Sequence, residues 1–296
     1  MEHKKVLVTG ITGFVGSHLA ELLLEKGFQV YGTVRHRSRP DNIKEFQDRL
    51  HLLEGDMTDF QYVRQLVKKS EPGYIFHLAA QSYVPQSWEA PSHTLSNNIT
   101  STCNLLEAVR ECDSSVIQIA GSSEEYGLVK PDEIPIRETN PLRPMSPYGV
   151  SKVATDLLAQ QYFQSYGLRT IVTRSFNHTG PRRGDVFVTS NFAKQIALIE
   201  KGKTKPVIRH GNLEAKRDFT DVRDIVKAYL LAVERCEPGQ AYNICSGTAL
   251  SIKQVLQILT SFSKAEIRTE QDPSRMRPSD VEILLGDSGK FRKQTG

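Results

Sequence analysis

Tyr148 and Lys152 stand four residues apart in the run Ser146-Pro147-Tyr148-Gly149-Val150-Ser151-Lys152. On a helix that spacing puts a phenol and an ammonium on one face, and Ser146 as cap with Pro147 in the first turn predicts a helix starting here. A free phenol has a pKa of about 10, too high for a base near neutrality, and a cation held beside it lowers that value. The pair is therefore a candidate unit for moving a proton on or off a hydroxyl. Upstream, Gly121-Ser122-Ser123-Glu124-Glu125-Tyr126-Gly127 closes a run of β-formers. Open α/β sheets bind ligands at the carboxyl ends of their strands, so Ser122, Ser123 and Glu124 are expected in the same crevice as Tyr148. Glu125 is expected to be a solvated loop carboxylate.

Such a crevice needs a sheet with helices on both faces. Short β-rich runs at 5–9, 29–34, 51–53, 74–78, 115–120 and 170–174 alternate with helical patterns at about 16–26, 59–69, 94–110 and 147–166. The alternation predicts an α/β chain, a Rossmann-type doubly wound parallel sheet. After Phe176 the rhythm breaks into a loop rich in Gly, Pro and Arg, a helical stretch at 191–202, and strands near 207–209 and 241–245. Residues 1–175 and 214–245 are assigned to the Rossmann domain, and 176–213 with 246–296 to a smaller C-terminal substrate-binding lobe.

Gly10-Ile11-Thr12-Gly13-Phe14-Val15-Gly16 follows the first strand and opens the first helix. Glycines permit the tight turn and close backbone approach, and the helix start offers amides to a pyrophosphate, which makes Gly10, Thr12, Gly13, Phe14, Val15 and Gly16 candidate dinucleotide contacts. The second strand ends in Val34 with Arg35, His36 and Arg37, without the acid that would hold ribose hydroxyls. Arg35 and Arg37 thus suit a 2′-phosphate, and NADP is the expected cofactor.

The GxxGxxG turn with Tyr148-x-x-x-Lys152 resembles the extended short-chain dehydrogenases/reductases. Gln81-Ser82-Tyr83-Val84, Phe176-Asn177-His178-Thr179-Gly180-Pro181-Arg182-Arg183-Gly184, Gly211-Asn212-Leu213-Glu214-Ala215-Lys216-Arg217-Asp218 and Arg277-Pro278-Ser279-Asp280-Val281 are similar to segments of the GDP-mannose 4,6-dehydratases and their 4-keto-reductase relatives, with coverage from Val6 to about Asp287. The resemblance implies that Ser122 bonds the reacting oxygen and that Glu124 removes the sugar C5 proton. It places Asp56, Met57, Leu78, Ala79, Ala80, His178 and Arg183 on the cofactor. Ser82, Ser123, Asn177, Val188, Lys194, Arg217, Arg277 and Asp280 fall on a GDP-linked sugar. The implied reaction is dehydration of GDP-mannose, or alternatively reduction of its 4-keto-6-deoxy product or dehydration of a GDP-heptose. Two departures, Ser-Ser-Glu-Glu at 122–125 and Thr179-Gly180, lean toward the reductase. A non-catalytic NADP-binding regulator would be expected to lack part of the Ser122, Tyr148 and Lys152 set. A homodimer or homotetramer is implied, and a further closing segment beyond Gly296.

Composition narrows the partners. Lys and Arg number 38 against 34 Asp and Glu, with no like-charge block, so nucleic acid is not expected. Four cysteines without a CxxC pair read as reduced thiols in a cytoplasm. No h-region and no bilayer-length apolar run occur, so neither export nor a membrane partner is expected. The eight histidines show no ligand spacing, so no metal is expected.

Overall fold

The computed structural model describes residues 5–112, 115–276 and 281–296. Thirteen strands are present among them: β1 Lys5–Thr9, β2 Gln29–Val34, β3 His51–Glu54, β4 Tyr74–His77, β5 Val116–Ser122, β6 Arg169–Ser175, β7 Asn177–Thr179, β8 Val207–His210, β9 Lys216–Asp221, β10 Gln240–Ile244, β11 Ala249–Ser251, β12 Arg268–Gln271 and β13 Ile283–Leu284. The α-helices are α1 Phe14–Glu25, α2 Phe60–Ser70, α3 Val84–Glu89, α4 Pro91–Arg110, α5 Pro147–Tyr166, α6 Val188–Glu200, α7 Val222–Arg235, α8 Ile252–Ser261 and α9 Gly289–Thr295. Among the described residues no helix is long and apolar enough to cross a membrane.

Seven strands form one parallel sheet in the order β10-β6-β5-β4-β1-β2-β3. The order reverses between β1 and β4, the place where a crevice opens above the strand ends. Alternation along each strand divides the core. Val6, Val8, Val30, Phe76 and Tyr242 face α1 and α7, while Leu7, Ile75, Ile117, Ile119 and Val172 face α2, α4 and α5. Full burial of an aliphatic side chain of this kind contributes about 1.5–3 kcal/mol, so both faces hold the sheet rigidly. Helix starts are fixed locally: Asp59 caps α2 and Asp221 caps α7. Ser146 caps α5 by accepting the Gly149 amide at 3.1 Å, and Gly167, with φ of 73°, ends that helix.

The smaller lobe has its own core of Phe192, Ile196, Ile199, Ile208, Ile252 and Leu256 between α6 and α8. Its strands pair as β11-β9-β13, with β7 also on β9, and as β12-β8. Two segments sit otherwise than expected. Lys216–Asp221, assigned to the Rossmann part, is the centre of the small sheet, because its neighbours β7, β11 and β13 all come from lobe segments. Gly289–Thr295, assigned to the lobe, buries Phe291 in the core beneath α7 and β10. Helices α3, α7, α8 and α9 were not foreseen.

Candidate active site

A cleft of about 1320 Å³ runs along the carboxyl ends of β1, β2, β4 and β5 and continues beneath the lobe. Its cofactor end is shaped by glycine. Gly10 has φ of 71°, and a Cβ at Gly16 would lie 2.3 Å from the Gly10 carbonyl. Gly13 begins α1 with no capping side chain, and Gly10, Thr12, Gly13, Phe14, Val15 and Gly16 all line the cleft. Across it, the Leu78 and Ala79 amides donate to Thr9 Oγ1 at 3.1 and 3.0 Å, which pins Leu78, Ala79 and Ala80 as the facing wall. Behind that wall His77 bridges Thr9 and Thr102 at 2.9 and 3.1 Å. Burial, then the Lys152 charge, lowers its pKa to about 3.

Arg35 lines the cleft and Arg37 does not. The chain turns sharply after β2: the Arg35 amide donates to Ser38 Oγ at 3.0 Å and the Ser38 amide returns to the Arg35 carbonyl at 2.9 Å. Arg37, at φ of 62°, is thereby carried past the wall, and Ser38 takes its place. Asp56 and Met57 line the adjacent wall; Thr58 donates to the Asp56 carboxylate through amide and hydroxyl, both at 2.8 Å, and holds its pKa low.

At the chemical centre, Tyr148 and Lys152 lie on the first turns of α5 facing Ser122. Lys152 Nζ donates to the Ala120 carbonyl at 2.7 Å and stands 5.8 Å from the Tyr148 ring. Burial lowers the ammonium to about 8. Burial also raises the Tyr148 phenol above its ordinary value, against a hydrogen bond with Ser122. Burial thus prevails over the lowering expected from the neighbouring lysine. Ser122 Oγ accepts the Glu124 amide at 3.2 Å and fixes a single turn in which Ser123 and Glu124 line the cleft. That turn presses on α5 so closely that a Cβ at Gly149 would lie 2.7 Å from the Glu124 carbonyl.

Glu125 departs from its expected place. It is fully buried, with Oε1 accepting the Ser122 amide at 2.7 Å, because the turn directs it beneath the site toward Arg174 and not to solvent.

The lobe closes the cleft through the loop after β6. Asn177, His178, Arg183 and Val188 line it. His178 stacks on Phe14 with ring centroids 5.9 Å apart, and its Nδ1 meets the Phe176 carbonyl at 2.9 Å. Burial, then the Arg183 charge, lowers its pKa to about 4, so the ring is neutral. Arg183 lies between two aromatic faces, 4.8 Å from Phe14 and 3.5 Å from Phe187. Ser82 and Arg217 also line the cleft; Arg217 is buried and Nη1 donates to the Lys216 and Val281 carbonyls at 2.9 and 2.7 Å. Lys194 does not line it. It points to solvent from α6 and pairs with Asp185. Arg277 and Asp280 lie outside the described residues. Sequence reasoning missed Ser38, Trp88 on α3, and the far-end group of Asn191, His210 and Arg275, in which Arg275 Nη1 donates to Asn191 at 2.7 Å. The Asp272-x-Ser274 turn that presents Arg275 was the available signal.

A seven-stranded parallel sheet with a glycine turn on one side of its crevice and Ser122, Tyr148 and Lys152 on the other defines the short-chain dehydrogenase/reductase class. The family model described as GDP-mannose 4,6 dehydratase matches residues 7–296, and the chain belongs to that family. GDP-mannose 4,6-dehydratase from Yersinia enterocolitica is 35% identical over 335 residues, covering 99% of this chain and 89% of that protein. GDP-6-deoxy-D-mannose reductase from Pseudomonas aeruginosa is 33% identical over 294 residues, covering 99% and 91%. The structure of RMD from Pseudomonas aeruginosa complexed with NADPH superposes with a TM-score of 0.84 at 31% identity, covering 99% of this chain and 92% of that one.

Proposed function

We propose that the chain is an NADP-dependent GDP-mannose 4,6-dehydratase. The observation that carries this reading is Glu124, a carboxylate lining the cleft on the same turn as Ser122 and against the start of α5. Relatives named as dehydratases support the GDP-sugar, and a neighbour complexed with NADPH supports the cofactor.

The cleft fits that cofactor. The space that Gly10 and Gly16 leave open, the uncapped start of α1, and Arg35 with Ser38 beyond β2 would hold its pyrophosphate and 2′-phosphate. Bound there, the nicotinamide would supply a hydride acceptor for C4 of the sugar and a hydride donor for C6. The protein's own groups handle the protons. Tyr148, steadied by Lys152, exchanges a proton with the C4 oxygen, and Ser122 hydrogen-bonds that oxygen. Glu124 removes the C5 proton, which is acidic once C4 is a ketone, and passes it to the C6 hydroxyl, which departs as water; C5 later takes a proton from solvent. Arg217 suits the diphosphate because a guanidinium can donate paired hydrogen bonds.

The second reading is an NADPH-dependent 4-keto reductase, favoured by the full-length match to the Pseudomonas aeruginosa reductase and by Thr179-Gly180. In it Tyr148 and Lys152 deliver one proton and Glu124 is idle. Four free cysteines support a cytoplasmic setting, and exposed Val150, Leu157 and Tyr166 along α5 support a homodimer or homotetramer. The deciding assay supplies GDP-mannose and purified protein without added NADPH, with products weighed by mass spectrometry. Loss of one water supports the dehydratase; unchanged GDP-mannose, with a 4-keto sugar consumed only alongside NADPH, supports the reductase.

A further inference from the structure

The reaction above leaves one buried acid at the site unused. Glu125 is enclosed by the turn after β5, by α5 and by β6, and its Oε1 accepts the Ser122 amide at 2.7 Å. Residue 121 must be small for this approach, since a Cβ there would stand 2.7 Å from Oε1. The second oxygen, Oε2, accepts no hydrogen bond from any described residue and lies 3.4 Å from Arg174 Nε. That guanidinium is already committed. Its Nε donates to Asp156 Oδ2 at 2.7 Å, and its Nη1 to the Tyr126 hydroxyl at 3.1 Å and the Glu138 carbonyl at 3.2 Å. One cation therefore faces two fully buried carboxyls. Left ionised, both would set two buried negative charges against one contacting cation and leave Oε2 without a donor; one proton removes both faults.

We propose that Glu125 is a positioning residue for Ser122: a neutral carboxylic acid whose Oε1 accepts the serine amide while Oε2–H donates to Asp156. The bond ties the catalytic turn to α5, one helical turn beyond Lys152, and through Arg174 to β6. Burial, then the Asp156 charge, raises the Glu125 pKa well above the carboxylate range, with Arg174 opposing, which agrees with the neutral form. An apolar residue of similar size would fill the space and leave the Ser122 amide without its acceptor, so the serine hydroxyl could drift from the Tyr148 phenol. The inference rests on Ser122 acting at the reacting oxygen, which both readings above share. It is therefore measured on whichever GDP-sugar the wild type turns over.

Glu125→Gln preserves both bonds, the amide oxygen accepting from Ser122 and the amide nitrogen donating to Asp156. Glu125→Leu removes both. The glutamine variant should keep most of the wild-type kcat, whereas the leucine variant should lose on the order of 10- to 100-fold in kcat with KM little changed, the scale of an ångström-level misplacement. Infrared spectra of the wild type at neutral pH should show the carbonyl stretch of a buried protonated carboxyl that disappears in Glu125→Gln, a readout that stands even if the leucine variant does not fold. A leucine variant with wild-type kcat, a glutamine variant as impaired as leucine, or no such band in the wild type would each overturn the assignment.

Discussion

Burial outweighs the hydrogen bond with Ser122 and raises the Tyr148 phenol, so Lys152 must supply the positive field that lets the phenol take the C4 proton and give it back. Replacing Tyr148 by Phe removes the transferable proton and leaves the glycine cradle intact. Turnover should collapse with cofactor affinity little changed by calorimetry; a variant that retains most of its turnover would exclude Tyr148. Lys152 gives the site a pH limit whose sign follows from its shift. Burial brings the ammonium down to about 8, so the cation is present below that pH and neutralised above it. kcat/KM should therefore fall as pH rises through about 8, and a flat profile from neutrality to pH 10 would contradict the placement. These roles were legible because Tyr148 and Lys152 share a helix face at short spacing. Glu125 was not, since Asp156 and Arg174, the partners that bury it, lie on elements far along the chain.

At the scale of elements, the turn between β1 and α1 admits only glycine at position 16, where a Cβ would overlap the Gly10 carbonyl at 2.3 Å. Gly16→Ala should cost about 1–3 kcal/mol in stability, the range for overpacking, and abolish tight NADPH binding. Unchanged melting and titration curves would refute the cradle. The turn after β2 separates two arginines that look equivalent in sequence. Arg35→Ala should weaken NADPH binding by about 1.5–3 kcal/mol, the cost of a lost charge-assisted bond, and Arg37→Ala should not. Equal effects would mean that the turn is formed differently. Helix α5 was readable end to end because Ser146-Pro147 starts it and Gly167 stops it. Helix α3 was not, since six residues with Pro85 near the start carry too little periodicity. Helix α7 has a strong apolar stripe and an Asp221 cap, yet it follows a lobe strand and so falls outside the simple alternation that located the earlier elements.

Over the whole molecule, lobe and sheet are interleaved: β9 serves the small sheet while α7 and α9 return to cover the large one. The buried histidines behind and above the cleft make that assembly acid-sensitive. His77 and His178 titrate at about 3 and about 4 when folded, against about 6.5 unfolded. Below pH ~6.5 the unfolded chain binds more protons, so their stabilisation is complete above that pH and is lost as pH falls toward 4. Urea midpoints should drop from pH 7 to pH 5, and drop less in His77→Gln; equal midpoints for the wild type would contradict the burial. The central claim, that Glu124 takes the C5 proton of GDP-mannose, is tested most directly by turnover in deuterium oxide without added NADPH. The wild type should yield a 4-keto-6-deoxy product carrying deuterium at C5, and Glu124→Gln should bind the GDP-sugar yet dehydrate it about 10²–10⁴-fold more slowly, the usual contribution of a positioned acid/base group. Turnover of the 4-keto sugar alone, with stoichiometric NADPH loss and an indifferent Glu124→Gln variant, would contradict it.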